Sequence, residues 1–337
     1  MTGGERRAGH YARGYRSELG AESRAENLRV WKMLSQVTAT RYVQPLTTGG
    51  SVPGVVEADD LGTYVVKFTG SAQGRKALVA EIVVGELARR LGFRVPELVL
   101  VDFDPAVARD EPHQEVQDLV RASAGINLGM DLLPGAVDLH PGDLAVDPAE
   151  AGRVVWLDAL TANVDRTVHS TNLMIWPPAG TPRSPRRLWL IDHGAALVFH
   201  HRWDSAAGAV TKRYDFRHHA LGGYAPLVAE ADAELAPRVT LDLLREVTAL
   251  VPDAWLRDEP GFSSPDALRE AYAHQLAERA AVSGEWLPLE FPSARQLAEA
   301  DAERAAATRA ARPAWLQHVP DLHGKPDAAP DWSRHLG

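Results

Sequence analysis

Two carboxylates and one carboxamide fall close together in the middle of this 337-residue chain. Asp165 lies in Ala162-Asn163-Val164-Asp165-Arg166-Thr167, directly after an apolar stretch, and Asn172 follows seven residues later. Asp192 closes the apolar run Leu188-Trp189-Leu190-Ile191 and is followed by His193-Gly194. Oxygen donors in this order suit phosphoryl transfer. One carboxylate accepts or orients the proton of a nucleophile, while an Asn and a second carboxylate bind Mg²⁺ bridging the phosphates. A hard cation takes such ligands in preference to histidine.

Upstream, Lys67 stands in the otherwise apolar run Tyr64-Val65-Val66-Lys67-Phe68. A lysine there must point to solvent or pair with something; Glu81 is a natural counter-charge and a phosphate a natural target. Thr47-Thr48-Gly49-Gly50-Ser51 precedes that run by a hairpin's length, and glycines let backbone N–H groups approach phosphate oxygens. Each feature alone has an ordinary explanation. A strand lysine is usually exposed, a Gly-Gly pair is usually a turn, a helical Glu usually faces water, and Asp and Asn are common at turns and strand ends. Their order and spacing carry the functional reading.

The elements that must position these residues follow from local pattern. Tyr64–Phe68 reads as a strand, being short, β-branched and aromatic. Ala77–Leu91 reads as a helix, with Leu78, Ile82, Leu87 and Leu91 near helical spacing and Gly92 as its C-cap. Val95–Val101 and Asn127–Leu133 read as extended, the latter ended by Pro134-Gly135, and residues 136–148 as a loop between two lobes. Pro148–Asn163 reads as a helix with Asp147 at its N-cap and Pro148 at the first position. Leu173–Trp176 and Leu188–Ile191 form a hairpin with a long tip, Pro177–Arg187. Helices are expected over Leu235–Val251, Ser264–Ser283 and Ser293–Ala311, followed by a Pro- and Asp-rich tail.

Composition narrows the function classes. With 45% apolar and 24% charged residues the chain can bury a substantial core, as one large domain or two lobes. A net charge of −9 supplies no global basic field for nucleic acid. The absence of cysteine excludes disulfides, thiolate metal sites and cysteine nucleophiles. No apolar stretch is long enough to span a membrane and no secretory signal is evident, so a cytoplasmic location is expected. Residues 1–32 hold seven Lys or Arg against four Glu and read as a flexible basic tail; Met33 is an alternative start. His200-His201 and His218-His219 lack the spacing of a zinc motif, and no Gly-x-Ser-x-Gly of a serine hydrolase occurs.

The ordered set of Gly-rich loop, strand Lys67, helix Glu81, Asp165-Arg166…Asn172 and Ile191-Asp192-His193-Gly194 resembles the HipA-like serine/threonine kinases. These are distantly related to phosphatidylinositol-kinase folds. Val37–Tyr42, Ala80–Pro96, Gly129–Ala136, Leu188–His201 and Pro252–Leu256 extend the resemblance over roughly residues 35–260. It implies an α+β, two-lobed protein-kinase-like fold. The flexible tail would span 1–34, a sheet-rich N-lobe 35–134, a helical C-lobe 135–290, and a C-terminal helix and tail 291–337. It also implies ATP and Mg²⁺ as cofactors and an unidentified protein or small-molecule acceptor. Gly49, Gly50, Ser51, Lys67, Met130 and Leu132 would bind the nucleotide. Lys67 would hold its α/β-phosphates and Glu81 would orient the lysine. Asp165 would be the catalytic base, and Asn172 and Asp192 the metal ligands.

The chain resembles compact members that lack the extra N-terminal subdomain of full-length HipA toxins, so a toxin–antitoxin role does not transfer. Two departures stand out: the Asp165–Asn172 spacing is two residues longer than in most kinases of this type, and Thr167 occupies the histidine position of an Asp-Arg-His motif. A bulge over Thr167–Thr171 is therefore expected, with Val168 turned inward and His169 or Ser170 near the Asp165 carboxylate. Three functions compete: a protein serine/threonine kinase, a small-molecule kinase, and a nucleotide-binding pseudokinase that regulates a partner.

Overall fold

The computed structural model describes residues 33–46, 52–140, 143–177, 184–288, 299 and 302–303. The chain divides into one unit over Met1–Phe291 and a second over Pro292–Gly337. In the second unit the described residues are Glu299, Ala302 and Glu303, all helical. The rest of the helix expected over Ser293–Ala311, and the tails at both ends, lie outside the described residues.

The first unit is α+β, sheet-rich towards its N-terminus and helical towards its C-terminus. Five strands close into a barrel in the order β1 (Ser35–Pro45), β2 (Gly54–Ala58), β3 (Thr63–Lys67), β5 (Gly125–Asp131), β4 (Leu98–Phe103). Neighbours are antiparallel except β1 and β4, which run parallel with Ser35 opposite Val99. Alternation sends Val37, Val56, Val66, Val99 and Val101 into the barrel core with Phe68 and Phe103. In β3, Tyr64 and Val66 are buried, whereas Lys67, its last residue rather than a mid-strand one, lies on the opposite face.

Helix α1 (Gly74–Leu91) follows β3 and ends at Gly92, whose φ of 92° is the left-handed cap that glycine adopts without strain. It starts three residues before the expected Ala77. Almost every residue from Ala77 to Ala88 is buried, so α1 is a central helix rather than a surface one. It shares a core with α3 (Pro148–Thr161) and with the hairpin β7 (Leu173–Trp176) and β8 (Arg187–Leu190). Asp147 caps α3 as its sequence suggests: its carboxylate accepts from the N–H groups of Ala149 (2.8 Å) and Glu150 (3.4 Å).

Several elements differ from local expectation. Helix α2 (Gln114–Arg121) stands between β4 and β5, where no helix is expected. The stretch 136–148 is not all loop, because Val137–Asp138 forms β6 and pairs with β7. A further helix, α4 (Val228–Leu235), ends where the helix expected over Leu235–Val251 should begin, and the expected helix is α-helical only over Leu241–Thr248 (α5). Pro237 lacks the N–H that would continue α4, and Thr240 starts α5 by accepting from the Leu243 N–H at 3.2 Å. The one-turn helix α6 (Asp253–Leu256) precedes α7 (Pro265–Ala281), and α8 (Ser283–Trp286) brings Trp286 against Trp156 with ring centroids 6.2 Å apart.

Candidate active site

The site gathers residues from β3, α1, the loop after α3 and the end of β8. Lys67 lies between two carboxylates, bonded to Glu81 Oε1 and to Asp192 Oδ1, the latter at 2.7 Å. Burial falls off across this trio: side-chain exposure is 3% for Glu81, 12% for Lys67 and 41% for Asp192. The buried carboxylate thus anchors the lysine from behind, and the third member faces solvent. Burial alone would lower the Lys67 ammonium, but Glu81 and Asp192 together outweigh it and hold it above its ordinary value, so it stays charged. Burial raises Glu81, against the opposing pull of Lys67. For Asp192, burial also pushes upward, but Lys67 prevails and the group ionises below its ordinary value.

Glu81 is tied to the opposite strand end as well, since its Oε2 accepts from the His193 N–H at 3.0 Å. Gly194 follows for a steric reason: a Cβ there would lie 3.1 Å from Glu81 Oε1. Asp192 itself has φ 55° and Asn172 φ 48°. Asn and Asp tolerate this left-handed region better than other non-glycine residues, and such conformations concentrate at functional sites. The hairpin register continues past its last pair, Leu173 with Leu190, because the Ile191 N–H donates to the Asn172 carbonyl at 3.2 Å. Asn172 therefore lies opposite the residue preceding Asp192.

Asp165 and Asn172 meet directly, Asn172 Nδ2 donating to Asp165 Oδ2 at 3.0 Å. The seven-residue spacing is absorbed by a compact turn. The Thr167 N–H donates to the Ser170 carbonyl at 2.9 Å, and Thr167 Oγ1 accepts from the N–H groups of His169 and Ser170, both at 3.3 Å. Thr167 also forms an isolated antiparallel bridge with His219. Ser170, expected near the Asp165 carboxylate, instead donates through Oγ to Asn172 Oδ1 at 3.1 Å. Val168 does not turn inward: it is 48% exposed, because its N–H is engaged by the His218 carbonyl at 2.9 Å on the outer side of the turn. His169 is exposed too.

Beneath this turn lies a buried polar hub with no counterpart in the sequence reading. Arg166 donates through Nε to Asp158 Oδ2 at 2.6 Å, and both side chains are fully buried. His219 Nε2 meets the same oxygen at 3.0 Å, while its Nδ1 accepts from the Leu221 N–H at 3.0 Å. Asn163 Nδ2 donates to the other oxygen at 3.0 Å. Burial presses the Asp158 carboxyl upward, but Arg166 and His219 outweigh it and keep it ionised. Burial, reinforced by Arg166, pushes His193 down to about 3, so its ring is neutral. One signal for this hub was present in the sequence: Asp158 is a lone charge within the apolar stretch Val154–Leu160. His219 had none, being 61 residues away.

Met130 lies near the end of β5, facing Val65 and Leu98 across the sheet, and just beyond the strand the Leu132 N–H donates to the Thr63 carbonyl at 3.0 Å. Gly49, Gly50 and Ser51 fall outside the described residues. Their segment joins β1 to β2, a connection closed by the Leu46 N–H donating to the Pro53 carbonyl at 2.7 Å.

A model of HipA-like kinases matches residues 40–286. The chain belongs to the HipA-like kinase family. It is thus a kinase-type protein with the α+β architecture described above. Among solved structures, this HipA-like chain is similar to the Helicobacter pylori proinflammatory kinase CtkA at 12% identity, with 74% of this chain and 99% of that one covered and a TM-score of 0.44. It is also similar to the Golgi casein kinase with Mn and ADP bound, at 12% identity, 78% and 76% coverage and a TM-score of 0.41. No curated protein matches the chain.

Among the described residues, no group of three or more His, Cys, Asp or Glu is arranged to hold a metal ion, and no helix is long and apolar enough to cross a membrane. The donor set at the site is a carboxamide and a carboxylate. That fits Mg²⁺, which uses one or two protein oxygens, several waters and substrate phosphates rather than a full protein cage.

Proposed function

We propose that this chain is an ATP- and Mg²⁺-dependent phosphotransferase of the cytoplasm that phosphorylates serine or threonine hydroxyls on a protein. The observation that carries the reading is the bonded pair of assemblies Glu81–Lys67–Asp192 and Asp165–Asn172, joined through the β7–β8 hairpin. Lys67, held charged and anchored by Glu81, offers its remaining N–H to the nucleotide's phosphates. Asp165 accepts the proton of the acceptor hydroxyl as the phosphoryl group leaves ATP. Asn172 and Asp192 hold Mg²⁺, which when bound neutralises charge on the phosphates. In this reading Gly49, Gly50 and Ser51 would contact the phosphates and Met130 and Leu132 the base, while residues 35–134 form the N-lobe and 135–290 the C-lobe.

The test is ATP turnover by the purified chain with and without Mg²⁺, followed by phosphoamino-acid mass spectrometry. Mg²⁺-dependent turnover with phosphoserine or phosphothreonine product is expected. Turnover with phosphate only on a small molecule would replace the protein acceptor, and Mg·ATP binding without turnover would make the chain a pseudokinase.

A further inference from the structure

The hub beneath the site reaches all three proposed catalytic and metal-binding residues, through Asn163 and through Arg166. Towards Asp165, the Asn163 amide bridges: its Nδ2 donates to Asp158 and its Oδ1 accepts from the Asp165 N–H at 3.2 Å. Towards Asn172, Arg166 Nη1 donates to the Asn172 backbone carbonyl. Towards Asp192, the same Nη1 reaches the Ile191 carbonyl at 3.4 Å and Nη2 meets His193 Nδ1 at 3.3 Å. Residues 191 and 193 flank Asp192 on both sides.

We propose that Asp158, Arg166 and His219 form a positioning unit that sets the spacing of Asp165, Asn172 and Asp192, with His219 supplied from a distant segment as its third member. The unit touches none of the reacting atoms. A planar guanidinium directs its donors in fixed directions, so one buried Arg can hold the Asn172 and Ile191–His193 segments while paired to Asp158. Asp158 orients that guanidinium, and the His219 Nε2–H satisfies and fixes Asp158 in turn. The isolated bridge between Thr167 and His219, with the Ala220 N–H donating to the Arg166 carbonyl at 3.1 Å, clamps the segment carrying His219 onto the turn. The lengthened turn and the replacement of a motif histidine by Thr167 are thereby compensated through tertiary contact.

The functional half of this inference rests on the kinase reading, and the positional half does not. The test uses the full chain as Arg166→Lys, His219→Gln and His219→Leu, with two readouts. Amide hydrogen exchange reports the geometry without any ligand, and Mg²⁺-dependent ATP turnover reports its consequence. Lysine keeps the charge opposite Asp158 but cannot reach the Asn172 and Ile191 carbonyls and His193 together. Exchange at 167–172 and 191–194 is expected to accelerate about tenfold in Arg166→Lys and His219→Leu, with barrel strands unchanged. Turnover should fall about 10- to 100-fold in the same two variants, as when groups orienting a ligand set are removed. His219→Gln, which restores an N–H near the Nε2 position, should recover most of both. Wild-type exchange in the two segments, uniform acceleration everywhere, or equal damage from Gln and Leu would each overturn the positioning role. A wild-type chain that shows no turnover would sink the kinase reading instead, and the exchange pattern would still decide the positional claim.

Discussion

Removing Lys67 should destabilise the protein in a pH-dependent way, and the trend can be worked from the site. In Lys67→Met the Glu81 carboxylate, 3% exposed, loses its cation but keeps the His193 N–H at 3.0 Å. Breaking a buried ion pair by deleting one partner costs about 3–5 kcal/mol. Asp192 adds little, because its more exposed side chain can rehydrate. Glu81 already ionises above its ordinary value through burial, and without Lys67 it must rise further. A carboxyl raised in the folded state binds a proton there that the unfolded chain has released. Its stability contribution is complete below the unfolded value and is lost as pH rises through the folded one. The variant should therefore lie about 3 kcal/mol or more below wild type at pH 8, the gap closing towards pH 5 by up to ~1.4 kcal/mol per pH unit. Adding Glu81→Gln should flatten the pH dependence and restore much of the loss. Denaturant unfolding at pH 5, 6, 7 and 8 measures all three proteins. A deficit equal at pH 5 and pH 8 would refute the reasoning, since only the lysine's packing would then matter.

Further outcomes separate the proposed roles. Asp165→Asn retains an oxygen that can accept from Asn172 Nδ2, so thermal stabilisation by Mg·ATP should persist while turnover falls by about 10² or more. Asp192→Asn should instead lose most of that stabilisation, and equal losses in the two would contradict the assignment. Gly152→Ala tests the packing of α3: a Cβ there would sit 2.5 Å from the Leu227 carbonyl oxygen, so a melting experiment should show a loss of about 1–3 kcal/mol.

What the sequence determined by itself was local. Alternation of Tyr64 and Val66 placed a strand, the Asp147-Pro148 pair placed the start of α3, and Gly92 placed the end of α1. These signals act through a few neighbouring dihedrals, caps and side-chain periods, so they survive without knowledge of the rest of the chain. The order Lys67, Glu81, Asp165, Asn172, Asp192 was likewise legible as chemistry. Tertiary structure alone decided that Lys67 also bonds Asp192, 125 residues away, that β1 lies parallel to β4, and that Val168 faces outward. It also decided that the buried charge of Asp158 finds His219. A buried carboxylate must be paired, but its position in the sequence names no partner. Only the packing of α3 against the turn at Thr167 and the segment around His219 brings the two within hydrogen-bonding distance.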